Sequence, residues 1–453
     1  MLVSEKKPSK ATPQSMSIPY YDFWFCWYEF SLKYGMVLYD ALAKSFKSFL
    51  DVQNAPAQKI ENSVRASFDT SLRNNLKSDE FSESVGKLVN SFVENLKFGY
   101  NQFYNNLSDL NSMLSRFFDP IRETLNRTPS DIIEIEGRFH IHHYKSTLKK
   151  KHKTPILVVY SLINRHYILD LLPKVSVVRS LLNQGFDIYA TDWGTPVSYD
   201  KNMTLENYTH EYIEKAVNKI KEITGVEKVS IFGYCWGGIF ALIYSAIHPE
   251  TVQNLILHAA PIDFKQSDTV IEKWTKSIDA EKLVDTLGNV PGPILNFSFF
   301  FRNPVEVFLK YFRYFSEPRS LEEIQEFFAI ETWLYDSKPI IGGVYKEIVN
   351  NIYKKNLLIQ NKLKVGAKIV DLQKITMPVL NILGLKDDLV PSASSRSLMC
   401  DIPSKDKQLI EYPTGHVGLC INPSAHKELW PEVGRWIAKR SVDKNIPELM
   451  AQS

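Results

Sequence analysis

The chain has few cysteines, little net charge and no long hydrophobic run, and each shortage excludes a class of protein. Its 453 residues contain four scattered cysteines, at positions 26, 235, 400 and 420. That number is too small for the disulfide framework of a secreted scaffold and predicts a reducing, cytoplasmic environment. A formal net charge of +3 is too small to indicate nucleic-acid binding. Because no run of about 18 uncharged apolar residues occurs, we expect no transmembrane segment.

The N-terminal region is predicted to be helical behind a disordered tail. Residues 1–18 are polar and lack the apolar core of a signal peptide. Within residues 19–125, aromatic and aliphatic residues recur at spacings of three and four over 20–50 and again over 100–117. The first stretch indicates an amphipathic helix and the second a short coiled-coil-like seam. Such faces need a partner surface, so we predict a helical extension over 19–125.

The remainder of the chain, 126–453, is predicted to be a catalytic domain of the α/β class. Apolar strand-like runs alternate with helical patterns, which is typical of βαβ units. A stretch at about 264–370 interrupts the alternation and is interpreted as an inserted helical cap, crowded with aromatic residues between 297 and 315. Strands are predicted at 131–136, 138–144, 155–160, 187–191, 228–232, 252–258, 378–383 and 407–412, and helices at 175–184, 205–224 and 424–439.

A short motif in the middle of this domain indicates covalent catalysis. Residues 233–237 read Gly-Tyr-Cys-Trp-Gly, after a strand pattern and before a helix pattern. This context is typical of the nucleophile elbow of an α/β-hydrolase, here with Cys235 in place of serine. A thiolate is a strong nucleophile and a good leaving group in acyl exchange. The Trp236 N–H is a candidate oxyanion donor. The alternative interpretation is a buried structural cysteine in a strand–helix turn.

The other two members of a catalytic triad follow in the order that this fold uses. The acid is expected just after a late strand, where Asp387 and Asp388 lie side by side; Asp387 is favoured and Asp388 is the rival. The base is expected after the final strand, where His416 lies in the segment Pro-Thr-Gly-His-Val-Gly. A helix-capping role for His416 is the alternative. The predicted fold is therefore an α/β-hydrolase with a helical cap and an N-terminal helical extension.

Four sequence blocks resemble the catalytic subunit of poly(3-hydroxyalkanoate) synthases, most closely the two-component class III type. They are Leu-Ile-Asn-Arg-His-Tyr-Ile-Leu-Asp-Leu at 162–171, Gly-Phe-Asp-Ile-Tyr-Ala-Thr-Asp-Trp-Gly-Thr-Pro at 185–196, the Cys235 elbow, and the loops of Asp387 and His416. The resemblance covers about 130–440 and does not clearly extend over the first 125 residues. One position departs from it, because Asp388 stands where the family usually has histidine.

The resemblance implies a reaction, partners and a location. The substrate would be a (3R)-hydroxyacyl-coenzyme A, short-chain such as 3-hydroxybutyryl-CoA, polymerised into polyester with release of CoA. His416 would deprotonate Cys235, Asp387 would chiefly activate the incoming hydroxyl, and the N–H groups of Trp236 and Ile168 would form the oxyanion hole. It implies no metal or redox cofactor. It also implies a homo-oligomer at cytoplasmic polyester granules, with a second helical subunit or a granule-associated protein as partner.

Two other functions share these features, and one histidine group needs an explanation. A Cys-dependent hydrolase or thioesterase would use the same elbow and triad. An inactive scaffold that organises storage granules through residues 1–125 is the alternative from another class. His140 and His142 share one face of a predicted strand, but the sequence nearby offers no cysteine or carboxylate to complete a metal shell. We therefore expect packed or solvated histidines there and no metal site.

Overall fold

The computed structural model describes residues 79–80, 82–84, 87, 127–146, 152–265, 269–303, 306–307, 310, 313–314 and 319–441. The predicted tail 1–18 and nearly all of the predicted extension 19–125 lie outside these residues. Much of the aromatic group between 297 and 315 also lies outside them. Within the described part, no helix combines the length and the apolar character needed to span a membrane.

An eight-stranded sheet forms the centre of the domain, and a two-stranded hairpin lies apart from it. The sheet order is β1-β2-β4-β3-β5-β6-β9-β10. The β1–β2 and β2–β4 pairs are antiparallel, whereas all pairs from β4 to β10 are parallel. The strands are β1 Ser130–Glu136, β2 Phe139–Tyr144, β3 Ile156–Val159, β4 Ile188–Asp192, β5 Val229–Tyr234, β6 Val252–His258, β7 Lys364–Val365, β8 Lys368–Ile369, β9 Val379–Gly384 and β10 Lys407–Tyr412.

Burial explains why the central strands read as unbroken apolar runs. Every residue of β3, β5 and β9 is buried, as expected for parallel strands covered by helices on both faces. The edge strands β1 and β10 are half exposed and carry charged residues, at positions 131, 134 and 136 in β1 and at 407 and 411 in β10. The predicted α/β class and the position of each predicted strand within a residue or two are confirmed.

Helices cover the sheet and build the cap. They are α1 Val177–Leu182, α2 Ile213–Thr224, α3 Trp236–Ile247, α4 Val270–Ser277, α5 Ala280–Leu287, α6 Gly292–Arg302, α7 Leu321–Leu334, α8 Gly342–Glu347, α9 Ser392–Arg396, α10 Leu398–Asp401, α11 Gly418–Ile421, α12 Pro423–Lys427 and α13 Leu429–Ala438. Helices α4 to α8 occupy the stretch predicted as a cap, so its helical character is confirmed where it is described.

Two predicted helices are each divided in the structure. The predicted helix 205–224 contains a π-helix at Asn207–Tyr212 before α2; an i→i+5 turn keeps an apolar periodicity close to that of an α-helix, so the sequence pattern does not reveal it. The predicted helix 424–439 consists of α12 and α13, which are separated at Glu428. The core positions of both patterns remain buried.

Candidate active site

Cys235 lies at a strained turn between β5 and α3. Its backbone has φ 54° and ψ −124°, a conformation that costs a non-glycine residue about 1–3 kcal/mol and clusters at functional sites. The surroundings hold it there: the Cys235 N–H donates to the His258 carbonyl at 2.9 Å, and the Cys235 carbonyl accepts from the Gly238 N–H at 2.8 Å. The side chain is 7% exposed. The elbow predicted from residues 233–237 is therefore present.

The glycines of the motif are required by close backbone packing. A Cβ at Gly237 would lie 2.1 Å from the carbonyl oxygen of Val159, and a Cβ at Gly233 would lie 2.5 Å from the Cα of Gly238. Since real Cβ atoms do not approach other atoms this closely, any larger residue would displace β3 or the start of α3. The close approach places the end of β3 beside the first turn of the elbow helix.

Asp387 and His416 meet across two loops that follow β9 and β10. The Nδ1 atom of His416 lies 2.7 Å from Oδ2 of Asp387. The other oxygen, Oδ1, accepts the N–H groups of Leu389 at 3.0 Å and Val390 at 2.8 Å. Both side chains are buried. The carboxylate is thereby fixed in orientation, and it in turn orients the imidazole.

Asp388, the rival acid in the sequence, points elsewhere. Its Oδ1 accepts from Arg302 Nη1 at 2.8 Å, and its side chain is 53% exposed. The structure therefore brings Asp387, and not Asp388, to His416. The residue that departs from the family pattern forms an ion pair with the cap instead of entering the site.

The imidazole of His416 joins the acid to the cysteine. Cys235 lies close enough to His416 to raise the pKa of its ring. Burial alone would lower the pKa of His416, but the charge of Asp387, that of a Cys235 thiolate and the hydrogen bonds to both raise it well above its ordinary value. The pocket therefore favours the protonated form of His416.

The two predicted oxyanion donors differ in their surroundings. Trp236 is the first residue of α3, where backbone N–H groups have no partner within the helix. Ile168 is fully buried, and its N–H faces the Arg165 carbonyl at 3.5 Å in the 3₁₀ turn His166–Asp170. A Cβ built on Gly237, in the first turn of α3, would meet the backbone of Val159 and Tyr160. The second oxyanion donor at Ile168 therefore remains a prediction.

The cap is attached to the loop that follows β3. Asn164, which has φ 59°, donates from Nδ2 to the carbonyls of Trp333 and Leu334 at 2.9 Å each. Arg165 Nε donates to Asp336 Oδ1 at 2.7 Å. Tyr167 and Trp333 add two further hydrogen bonds between the same segments. The cap thus covers the elbow in a closed arrangement.

Sequence reasoning missed two side chains that surround the triad. Tyr353, from the cap, accepts a hydrogen bond of 3.0 Å from the Trp236 indole. His258, at the end of β6, is fully buried beneath Tyr234, with ring centroids 4.9 Å apart. Neither ring nitrogen of His258 has a hydrogen-bond partner among the described residues. Only the strand order, which places β6 beside β5, could have indicated His258.

A second group of polar side chains lies at the antiparallel edge of the sheet. The pairing of β2 with β4 sets His140 opposite Asp192. The sequence argument that no carboxylate lies near His140 and His142 is therefore wrong, because the sheet supplies one from a strand about fifty residues away. His166 and Lys338 also lie beside Asp192.

Two family models match the chain. A model described as the alpha/beta hydrolase fold matches residues 154–423, and one described as the poly-beta-hydroxybutyrate polymerase (PhaC) N-terminus matches residues 27–181. The second match begins well before residue 125. It therefore corrects the sequence-based impression that the resemblance does not extend clearly over the first 125 residues.

Similar full-length proteins carry the same designation, poly(3-hydroxyalkanoate) polymerase subunit PhaC. The Haloferax mediterranei protein is 38% identical over 70% of this chain and 65% of its own length, so the chain spans slightly less than two thirds of that relative. The Allochromatium vinosum protein is 37% identical over 63% of this chain and 81% of its own length. The Synechocystis sp. protein is 32% identical over 69% and 85%, respectively.

Proposed function

The chain belongs to the poly(3-hydroxyalkanoate) polymerase family, built on the α/β-hydrolase fold, and from that premise we propose that it polymerises (3R)-hydroxyacyl-coenzyme A through an acyl-enzyme on Cys235. The enzyme is an acyltransferase that releases CoA. The observation that carries the assignment of the nucleophile is the strained Cys235 elbow, which lies close enough to His416 to raise the pKa of its ring. A short-chain substrate, 3-hydroxybutyryl-CoA, is the form in which we test the proposal.

The first half-reaction loads the enzyme. His416 takes the thiol proton of Cys235, and the raised pKa of the imidazole beside Asp387 supports its holding that proton. The thiolate attacks the thioester carbonyl, and the negative charge on the carbonyl oxygen is stabilised by the Trp236 N–H and a second N–H after β3. The carbon–sulfur bond to CoA breaks, and CoA leaves with the proton from His416. The product is an acyl thioester on Cys235.

The second half-reaction extends the chain. The hydroxyl of one hydroxyacyl unit attacks the thioester carbonyl of another, and the Cys235 thiolate leaves. The hydroxyl proton must be accepted nearby, and the only buried carboxylate in contact with His416 among the described residues is Asp387. We propose that the Asp387–His416 pair accepts it. Each cycle thus forms one ester bond and releases one CoA.

The closed cap bears on substrate entry. Cys235 is almost fully buried beneath the cap, and Trp236 is hydrogen-bonded to the cap residue Tyr353. A hydroxyacyl-CoA cannot reach the sulfur until the cap moves, a gating step that is common in enzymes that exclude water. Exclusion of water also favours acyl transfer to a hydroxyl over hydrolysis.

The relatives are named as subunits, and this supports a partner for the present chain. We propose a second helical subunit or another copy of the enzyme as the surface against which the predicted helical seams of residues 19–125 pack. Association with polyester granules is proposed on the same family grounds.

The test uses the purified full-length enzyme with 3-hydroxybutyryl-CoA, recording free thiol and polymer together. Release of CoA matched by polymer, without soluble 3-hydroxybutyrate, supports the synthase. Release of CoA with soluble acid in equal amount would instead identify a thioesterase. Cys235→Ala should lose several orders of magnitude in CoA release, whereas Cys400→Ala, at an exposed cysteine, should not. Near-normal turnover in folded Cys235→Ala would overturn the mechanism.

A further inference from the structure

Three side chains converge at the edge of the sheet where β2 pairs with β4. His140 and His142 occupy the same face of β2, and Asp192 ends the neighbouring strand. The Nε2 atoms of His140 and His142 lie 3.3 Å and 3.8 Å from Oδ2 of Asp192. The three ligand atoms all lie within 4.8 Å of one another. Two imidazoles and one carboxylate oxygen therefore face a common point.

The spacing is compatible with two bonds to a shared cation. Charge-assisted N–H···O bonds are about 2.7–2.9 Å long, shorter than either of these contacts. With metal–ligand bonds of about 2.1 Å, two ligands of a tetrahedral ion lie roughly 3.4 Å apart. The two Nε2–Oδ2 separations differ from that value by a few tenths of an ångström, and the two Nε2 atoms lie within 4.8 Å of each other.

The other ring nitrogens are held in the way that metal-binding histidines require. Nδ1 of His140 lies 3.1 Å from the Arg138 carbonyl, and Nδ1 of His142 lies 3.0 Å from Ser130 Oγ. A carbonyl only accepts, so the proton of neutral His140 lies on Nδ1 and its Nε2 lone pair faces Asp192. Such outer contacts fix the tautomer and the direction of a metal-binding imidazole.

An independent observation concerns the second histidine. The Nε2 atom of His142 is buried and has no hydrogen-bond partner among the described residues. A buried polar atom without a partner is rare and needs an explanation, such as an unplaced water or ion. This nitrogen points toward Asp192, where a cation would satisfy it.

The two carboxylate oxygens of Asp192 have different partners. Oδ1 of Asp192 accepts from Lys338 Nζ at 2.7 Å and from the Gly194 N–H at 3.0 Å. Those bonds fix the carboxylate and leave Oδ2 toward the imidazoles. Lys338 therefore occupies the oxygen that a metal would not use.

We propose that His140, His142 and Asp192 form a binding site for a divalent transition-metal ion, with Zn²⁺ as the reference ion. Two imidazole nitrogens and one carboxylate oxygen suit such ions better than Ca²⁺ or Mg²⁺, which prefer oxygen ligands. Asp192 also lines a cavity together with His166, Lys338 and Asn164, and this cavity is a source of further ligands for the remaining coordination positions. They take water or an anionic oxygen, and His166, whose Nδ1 is 4.0 Å from Asp192 Oδ2, is placed to join after a small shift.

A metal ion at this site would affect the loop that contacts the cap. His166 begins the 3₁₀ turn that follows the cap-bound Asn164. A metal ion that engages the β2–β4 edge and His166 would restrain the loop that carries the cap contacts. The site is separate from Cys235, and its test does not depend on the proposed reaction.

The experiment titrates chelator-treated, full-length enzyme with Zn²⁺ by calorimetry and with Co²⁺ by visible absorption. The double variant His140→Gln, His142→Gln is expected to lose one equivalent of bound metal. The control His143→Gln lies on the opposite face of β2, where His143 pairs with Asp187. The control His210→Gln removes a ligand from the other metal-compatible group, His210, Glu214 and His248. Both controls should keep that equivalent, and Asp192→Asn should weaken it at least about tenfold.

A second measurement needs no variant and guards against misfolding. Exchange of the histidine ring C2 hydrogen, followed by mass spectrometry, should slow at His140 and His142 when Zn²⁺ is added and stay unchanged at His143. Equal metal stoichiometry in the wild type and the double variant would overturn the proposal. So would unchanged ring exchange at His140 and His142 in metal-saturated wild-type enzyme.

Discussion

His416 donates from Nδ1 to Oδ2 of Asp387 at 2.7 Å, and this bond decides between two neighbouring acidic residues. Asp388 has the same charge and is one residue away, yet it pairs with Arg302 at the surface. The difference arises because two backbone N–H groups turn the Asp387 carboxylate inward. The pair therefore offers a matched comparison in which charge and sequence position are nearly constant.

Asp387→Asn should slow acylation of Cys235 by about 10²–10⁴-fold and should also impair elongation, since a neutral amide no longer stabilises the imidazolium. Asp388→Asn should change either step by less than about threefold. Rapid-quench mass spectrometry of the acyl-enzyme, followed by polymer yield, measures the two steps separately. Acylation at the wild-type rate with failed elongation would restrict Asp387 to activation of the hydroxyl. Equal effects of the two variants would contradict the geometry.

Stability should depend on the protonation of His416. Because its pKa in the folded state is raised by Asp387 and Cys235 against the effect of burial, folding favours the protonated ring. That contribution is complete below the ordinary pKa of about 6.5 and is lost as pH rises through the raised value. The difference in unfolding free energy between wild type and His416→Gln should be constant at acidic pH and shrink under alkaline conditions. A difference that grows with pH would contradict the assignment.

His258 should act in the opposite direction. Burial lowers its pKa to about 3, with a further contribution from the charge of His416, so folding favours the neutral ring. Stability is then lost as pH falls below about 6.5, where the unfolded chain takes up a proton. His258→Leu, which also removes two nitrogens that lack a hydrogen-bond partner in the described part of the chain, should raise the melting temperature more at pH 5 than at pH 8. Equal melting temperatures at pH 5 would show that water molecules satisfy the ring.

Asn164 should control how readily the cap detaches. Asn164→Gly keeps the positive φ accessible but removes two hydrogen bonds to Trp333 and Leu334, each worth about 0.5–1.5 kcal/mol. Hydrogen exchange over residues 321–336 should accelerate by roughly tenfold. Asn361→Gly is the control, because Asn361 also has a positive φ but bonds to Leu372 N. Unchanged exchange in Asn164→Gly would show that other contacts hold the cap.

Removal of residues 1–125 should separate assembly from chemistry. The truncated enzyme is expected to acylate Cys235 but to change in oligomer size or granule association, because the extension supplies no triad residue. Size-exclusion chromatography with light scattering and an acylation assay measure both properties. Identical assembly and polymer yield would contradict a docking role. Failure to fold would show that the extension belongs to the core. This outcome needs to be examined because the family match begins at residue 27 and so includes most of the extension.

The sequence predicted those features that depend on local pattern. The sequence predicted the apolar runs of β3 and β5 and the glycines around Cys235, because burial and close packing restrict the residue type at each of these positions. Features that depend on strand register could not be predicted from the sequence. Nothing local to His140 indicates that Asp192 lies opposite it. The second oxyanion donor, Ile168, remains a prediction, because it depends on which backbone passes beside α3.

Because the cap is attached to the loop after β3, access of substrate to Cys235 depends on the fraction of molecules in which the cap is open. If opening breaks the Asn164 and Arg165 contacts at about 1 kcal/mol each, molecules with an exposed sulfur are a small minority at any moment. Apparent substrate affinity is then the intrinsic affinity reduced by that fraction. Once an acyl chain attached to Cys235 occupies the space beneath the cap, that chain opposes closure of the cap. The ratio of open to closed cap at the start of a later elongation cycle therefore differs from the ratio at the start of the first cycle.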